Sequence, residues 1–317
     1  MKKILKIDIK LKLIMVLVLF FMLCELGVNR KVSLAGNIND NLENYADNSY
    51  YDREKARDYA IKWAITSNKE YYNYINDGGD CTNFVSQVLR AGGMEFIGSK
   101  KSSTDIKSWF YYSSNLPNRS ATWTSAKAFN LHFGKEYKRV YSYREYKIED
   151  ALGNWDEIYN SIYVGDIVQY SRPNNIAFHS QAITDLLEKK TIYFSQHSNS
   201  IENFYKNGNL KYYLLGKPDD YNLLIYNIKN DINNIKESRG MTVLTEEDYN
   251  EELQEAMDMI KISIEDTRFD NASYKSKDTE EFIYNMENKL KNVEYERYSR
   301  AKSSKELLEY LLDRSDL

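Results

Sequence analysis

Near residue 163 the hydrophobic period of the chain changes, and that change constrains the fold more than any other feature. Before it, apolar residues recur three and four apart. Ala56, Tyr59, Ala60, Trp63 and Ala64 follow Asp52, which stands as an N-cap. Phe84, Val85, Val88 and Leu89 follow Cys81, and Gly92-Gly93 ends that run. After it, "YVGDIVQYS" (163–171), "IAFHSQAIT" (176–184) and "TIYFSQHS" (191–198) read as strands, with "LKYYLLG" (210–216) as a fourth. Helices followed by an antiparallel meander make an α+β pattern. Between helices and strands, Trp109, Phe110, Tyr111 and Tyr112 read as core, and a short helix is expected after Trp123.

Beyond Pro218, the last proline, the helical period returns. Leu224, Ile228 and Ile232 share it, as do Tyr249, Leu253, Met257, Ile260 and Ile264, then Phe282, Met286, Leu290 and Val293, then Leu307, Leu308, Leu311 and Leu312. Residues 219–317 hold 24 acidic and 14 basic side chains, whereas 36–218 are near neutral. The expected division is a signal peptide (1–35), a flexible polar leader (36–50), a catalytic domain (51–217) and an acidic all-α domain (218–317). The last is expected to supply no catalytic group, having neither cysteine nor histidine, and its apolar stripes to be covered by its own helices, by the catalytic domain or by a protein partner.

The chain opens on MKKILKIDIKLK, then LIMVLVLFFMLCELGV, an apolar run of signal-peptide length and short for a membrane span. Ser33-Leu34-Ala35 fits a cleavage signal, so a secreted or wall-associated protein is expected, in contact with a membrane only through the signal segment. Leu23 precedes Cys24 where a lipoprotein signal wants a small residue. From Gly36 onward there are 36 basic and 45 acidic side chains, which argues against nucleic acid as a partner. One cysteine, Cys81, remains. It cannot form an internal disulfide, so it is a reactive group or a buried spectator.

Its position favours reactivity. A thiol is a weak nucleophile until ionised. Cys81 opens a helix, where unpaired N–H groups and the macrodipole favour negative charge. Gly78 and Gly79 let the chain bend before it and leave the sulfur approachable. A carboxylate beside it would oppose ionisation, so Asp80 is expected to cap the helix. A thiolate enzyme also needs a base. His132, in "LHFGK", falls at a helix end and reads as structural or surface-lying. His179 and His197 fall on adjacent antiparallel strands. His179 is expected to take the thiol proton, with His197 holding its other nitrogen. Zinc is the rival use, but Cys81, His179 and His197 match no short metal-ligand spacing, so neither metal nor cofactor is expected.

"YDREKARDYAIKWA", "DGGDCTNFVSQVLRAGGM", "SWFYY", "ATWTSAKAF", "VGDIVQY", "FHSQAIT" and "YFSQHS" resemble, in order, the bacterial putative amidase domain family. That family is similar to NlpC-type and CHAP cysteine peptidases of papain-like fold. The likeness runs from about Tyr51 to Gly216 and is most specific at GGDCTNFVSQ. It implies Cys81 as nucleophile, His179 as base and a polar third residue on the next strand, His197 or, failing that, Asn199. It also implies a tyrosine near the oxyanion, for which Tyr71 and Tyr72 are candidates. Lys69 stands where the family usually has proline, which affects the loop's shape.

The expected function is that of an exported cysteine amidase or peptidase acting on a peptide amide, with peptidoglycan as the substrate class the resemblance implies. Acyl transfer on the same groups is one alternative. An inert domain acting through its helical tail is another.

Overall fold

Among the residues that the computed structural model describes (45–187, 190–231, 245–315 and 317), six strands form one sheet. They are β1 (Ser142–Lys147), β2 (Ile167–Ser171), β3 (Ala177–Leu187), β4 (Thr191–Gln196), β5 (Tyr205–Asn209) and β6 (Asn222–Asn227). The order is β1-β6-β2-β3-β4-β5, and every neighbouring pair is antiparallel. The signal segment with Cys24, residues 36–44 of the leader, and Ile232 lie outside the described residues.

The helices before the sheet are α1 (Arg53–Trp63), α2 (Cys81–Ala91), α3 (Ala121–Thr124) and α4 (Ala126–Asn130). Asp52 caps α1, accepting from the Lys55 N–H at 3.0 Å. Two short helices, α5 (Ile148–Gly153) and α6 (Trp155–Ser161), follow β1. Then come α7 (Leu210–Leu215), α8 (Glu246–Tyr274), α9 (Lys277–Ser299) and α10 (Ser304–Leu312). Capping boxes at Thr245/Asp248 and Ser303/Glu306 start α8 and α10.

Both faces of the sheet are covered. On one, Ile167, Ala182, Leu224 and Tyr226 meet α1 and α2 together with Trp109, Trp123, Phe129 and Phe133. On the other, Val168, Tyr170, Ile183, Leu223 and Ile225 meet residues of α5 to α10.

Two sequence expectations change here. The segment holding Leu224 and Ile228 was expected to be helical, yet 222–227 is β6, seated between β1 and β2 with all six residues buried. A strand covered on both faces shows a continuous apolar run instead of alternation, so its leucines mimic helical spacing. "LKYYLLG" is α7, not a strand. Asn209 caps it by accepting from Lys211 N–H at 3.1 Å, and Gly216 ends it.

The boundary expected at 217/218 does not separate one core from another. Leu253, Met257, Ile260 and Ile264 of α8 belong to the same cluster as Val168, Ile183 and Phe194 of the sheet. Each such side chain contributes about 1.5–3 kcal/mol when buried. Lys217, wholly buried, donates to the Ser263 carbonyl and the Thr267 hydroxyl of α8, both at 2.9 Å. The sheet itself therefore covers the apolar stripe of α8. The expected leader also changes within its described part: Asn48 is buried, and its amide donates to the carbonyls of Arg139 (2.9 Å) and Ile228 (2.8 Å).

Candidate active site

Cys81 is the first residue of α2, and only 9% of its surface is exposed. The two glycines before Asp80 have φ of +100° (Gly78) and +106° (Gly79), a region closed to most side chains. A Cβ on Gly78 would meet no atom within 4 Å, and both glycines line the cleft that Cys81 lines. The Thr82 hydroxyl lies 3.0 Å from that of Ser180 and ties the start of α2 to β3.

Asp80 occupies the N-cap position but its side chain does not cap α2. One carboxylate oxygen accepts from the Tyr74 N–H and the Asn83 amide, both at 2.8 Å. The other meets His197 Nδ1 at 2.6 Å. Asp80 thus ties the preceding loop, α2 and the end of β4 together, with its charge turned away from the thiol's own partner.

His179 is that partner. Between Tyr170↔His179 and Ser171↔Ala177 the β2–β3 register slips, leaving Phe178 unpaired. Such a bulge bends the strand and re-aims its side chains. His179 is buried and lines the same cleft as Cys81, and it is the main group that pulls the thiol's pKa down. Its Nε2 lies 2.9 Å from Gln196 Oε1, which leaves Nδ1 for the thiol.

The surrounding network fixes the tautomer. Gln196 Nε2 donates to the Asn203 carbonyl at 2.8 Å, and a carbonyl can only accept. Gln196 Oε1 must then face His179, so Nε2 carries the ring proton and Nδ1 is bare. The same Oε1 accepts from Gln181 (2.6 Å), whose own oxygen accepts from the Tyr170 hydroxyl (2.6 Å). Asp266 of α8 completes this network. It accepts from the Tyr213 hydroxyl (2.8 Å), Gln196 Nε2 (3.1 Å) and the Ser198 hydroxyl, and lies 3.7 Å from His179 Nε2. The hydrogen bond from Nε2 goes to Gln196; Asp266 acts on the ring through space.

Burial pushes the thiol's pKa up, but the His179 hydrogen bond and charge, the Thr82 hydroxyl and the Ser180 N–H outweigh it, and the net direction is down. Burial pulls the His179 imidazole down, while Asp266 and Cys81 push it up against the opposing Lys217, and the net direction is up. Thiol down and imidazole up favours a thiolate–imidazolium pair.

His197 does not join this pair. Its Nε2–H donates to the Trp63 carbonyl at 2.8 Å, and its ring lies between Phe84 and Phe204, with centroids at 4.2 and 3.9 Å. The reason is parity. β3 and β4 pair Ala182 with Ser195 and Ile183 with Phe194. Continuing that register puts Gln196 opposite Gln181, on the face of His179, and turns His197 to the face of α1 and α2.

Cys81 and His179 open into a cleft of about 320 Å³. Gly78, Gly79 and Asn199 border it on one side, and Thr124 to Lys127 on another. Asp266, Phe269, Asp270 and Ser273 of α8 form a further wall. Asp270 there holds Arg172 through two hydrogen bonds. The C-terminal region, expected to supply no group to the site, thus builds part of its wall. Asn199 is at the cleft, its Oδ1 2.8 Å from the Ser198 hydroxyl. Tyr71 and Tyr72 are not: Tyr71 stacks on Trp123 (5.8 Å), and Tyr72 donates its hydroxyl to Asp77 (2.9 Å). His132 is fully buried, with Nδ1 on the Ile106 carbonyl, which makes it structural and not surface-lying. Among the described residues, no group of three His, Cys, Asp or Glu side chains is arranged to hold a metal ion.

The family model described as "Putative amidase domain" matches residues 50–217, just over half of the chain. The chain belongs to this putative amidase domain family. The family description suggests amidase activity. The "Uncharacterized protein YjcM" of Bacillus subtilis (strain 168) is 29% identical over 160 residues. That alignment covers 47% of this chain and 31% of the relative, so the chain spans about a third of the relative's length. No solved structure matches. The family match holds Cys81, His179, Gln196 and His197 and ends before β6 and α8, so Asp266 lies beyond it.

Sequence reasoning missed Gln196 and Asp266. The first depends on the β3–β4 register, which the sequence alone does not fix. For the second, the signal is the α8 stripe itself, which turns polar at Ser263, Asp266, Thr267 and Asp270 while remaining buried.

Proposed function

We propose that this amidase-family protein is a cysteine amidase or peptidase in which Cys81 and His179 carry the chemistry in a papain-like arrangement. The observation that carries this reading is that Cys81, at the start of α2, and His179 line one cleft, with the thiol pushed down and the imidazole pushed up. His179 Nδ1 takes the thiol proton, and Sγ attacks the amide carbonyl carbon. The N–H groups at the first turn of α2, which have no intrahelical acceptor, face the developing oxyanion. As the C–N bond breaks, the imidazolium returns the proton to the leaving amine. Water, losing a proton to His179, then cleaves the thioester and frees the acid. Gln196 keeps His179 in the required tautomer. His197 and Asp80 are structural.

Export and a peptidoglycan substrate complete the proposal, supported by the signal-like N-terminus and the sequence resemblance. The test is digestion of purified peptidoglycan and of soluble peptide amides, read by fragment mass. New amine and carboxyl ends released by wild type and not by Cys81→Ala are the expected result. Fragments released equally by both proteins would sink the reading.

A further inference from the structure

We infer that the C-terminal helix α8 is part of the catalytic apparatus, its Asp266 serving as the positioning residue that holds the charge of the His179 imidazolium. This deepens the cysteine-amidase reading and rests on it. Four observations carry it. Asp266 Oδ2 lies 3.7 Å from His179 Nε2, and the two side chains are 2% and 5% exposed, so water screens their interaction little. The carboxylate accepts from three donors, on β4, just beyond β4 and on α7, which fixes its place. It bonds to the Gln196 side chain that fixes the His179 tautomer. It also continues the buried stripe of a helix that contributes Met257, Ile260 and Ile264 to the sheet's core, so the helix is anchored where the charge is needed.

No other carboxylate approaches His179 closely enough to be an ion pair among the described residues. Around the ring stand Cys81 of α2, Tyr170 of β2 and Tyr213 of α7, with Asp270 one turn along α8 and, beyond α7, Lys217, an opposing cation that burial pulls down to a pKa of about 7. A negative charge at Asp266 stabilises the imidazolium and hence the thiolate it has protonated from. Removing that charge should lower the pH at which the imidazolium loses its proton and shift the singly protonated pair from thiolate–imidazolium towards neutral thiol–imidazole, so that the thiolate fills only at higher pH. Because Asp266 lies past residue 217, this chain draws a site group from outside the segment that defines its family.

The test is the pH dependence of Cys81 alkylation by iodoacetamide in the full chain, located by peptide mass so that Cys24 is counted separately. In Asp266→Asn the midpoint should rise by about one pH unit or more, a reaction about fivefold slower at the wild-type midpoint and about tenfold slower well below it, and Asp266→Glu should recover part of it. A folded Asp266→Asn protein with an unmoved midpoint overturns the inference. A second measurement does not depend on that variant folding. In Cys81→Ala the His179 ring followed by NMR should titrate at a higher pH than in Cys81→Ala with Asp266→Glu or Asp266→Asn, whichever folds. An unchanged titration overturns the inference equally. A shifted alkylation midpoint in a protein that hydrolyses no amide would support the Asp266 role and retire the amidase reading, so the two fail separately.

Discussion

Replacing His197 with alanine should damage stability far more than chemistry. The imidazole is 1% exposed, 2.6 Å from an Asp80 carboxylate that is also 1% exposed, and it satisfies the Trp63 carbonyl with its other nitrogen. Truncation strips a buried carboxylate of its partner and leaves a gap between Phe84 and Phe204. Breaking a buried pair of this kind costs roughly 3–5 kcal/mol. For a chain of this size that is a fall in Tm on the order of 10 °C. The assay is thermal unfolding followed by circular dichroism, paired with kcat/KM for a soluble peptide amide at a temperature where both proteins remain folded. There kcat/KM should change by less than about tenfold, since His197 lies on the opposite face of β4 from His179. A wild-type Tm with kcat reduced a thousandfold would refute this and make His197 the orienting residue after all.

Gln196→Ala frees the His179 ring to take either tautomer, so kcat should fall on the order of 10²-fold with little change in KM, measured on the same amide. Burial pulls His132 down to about 3, so the unfolded chain binds a proton there below pH 6.5 while the native chain does not. Wild type should therefore lose stability as pH falls from 6.5 towards 3, on the order of 3 kcal/mol from this residue by pH 4, and His132→Gln should lose that much less in urea titrations at pH 7 and pH 4. A Cβ on Gly92 would stand 2.2 Å from the buried Tyr51 ring, so Gly92→Ala should cost about 1–3 kcal/mol in the same assay. A chain ending at Pro218 lacks β6 and α8, and should be recovered unfolded or aggregated, as read by circular dichroism and size exclusion.

The sequence exposed what local chemistry dictates. Asp52 as a cap, Cys81 at a helix start, the Gly78-Gly79 bend, and strands around Ile167, His179 and Phe194 were all legible, because capping, glycine backbone freedom and period act within a few residues. Long-range facts were not. β6 reads as helix because burial on both faces erases alternation. The exchange of His197 for Gln196 turns on a register that a single chain does not print. Asp266 is one acidic residue among 24 in an acidic tail, and only the packing of α8 against the sheet brings it to His179.

The most direct test of the central claim is the mass of the protein during turnover. A reaction between the full chain and a peptide amide, quenched in acid within one turnover and mapped by peptide mass, should carry the acyl fragment on Cys81 as a thioester. The adduct should be absent from Cys81→Ala and should persist longer when His179 is replaced. Amide hydrolysis that proceeds with no adduct on Cys81, at an undiminished rate in Cys81→Ala, would contradict the account.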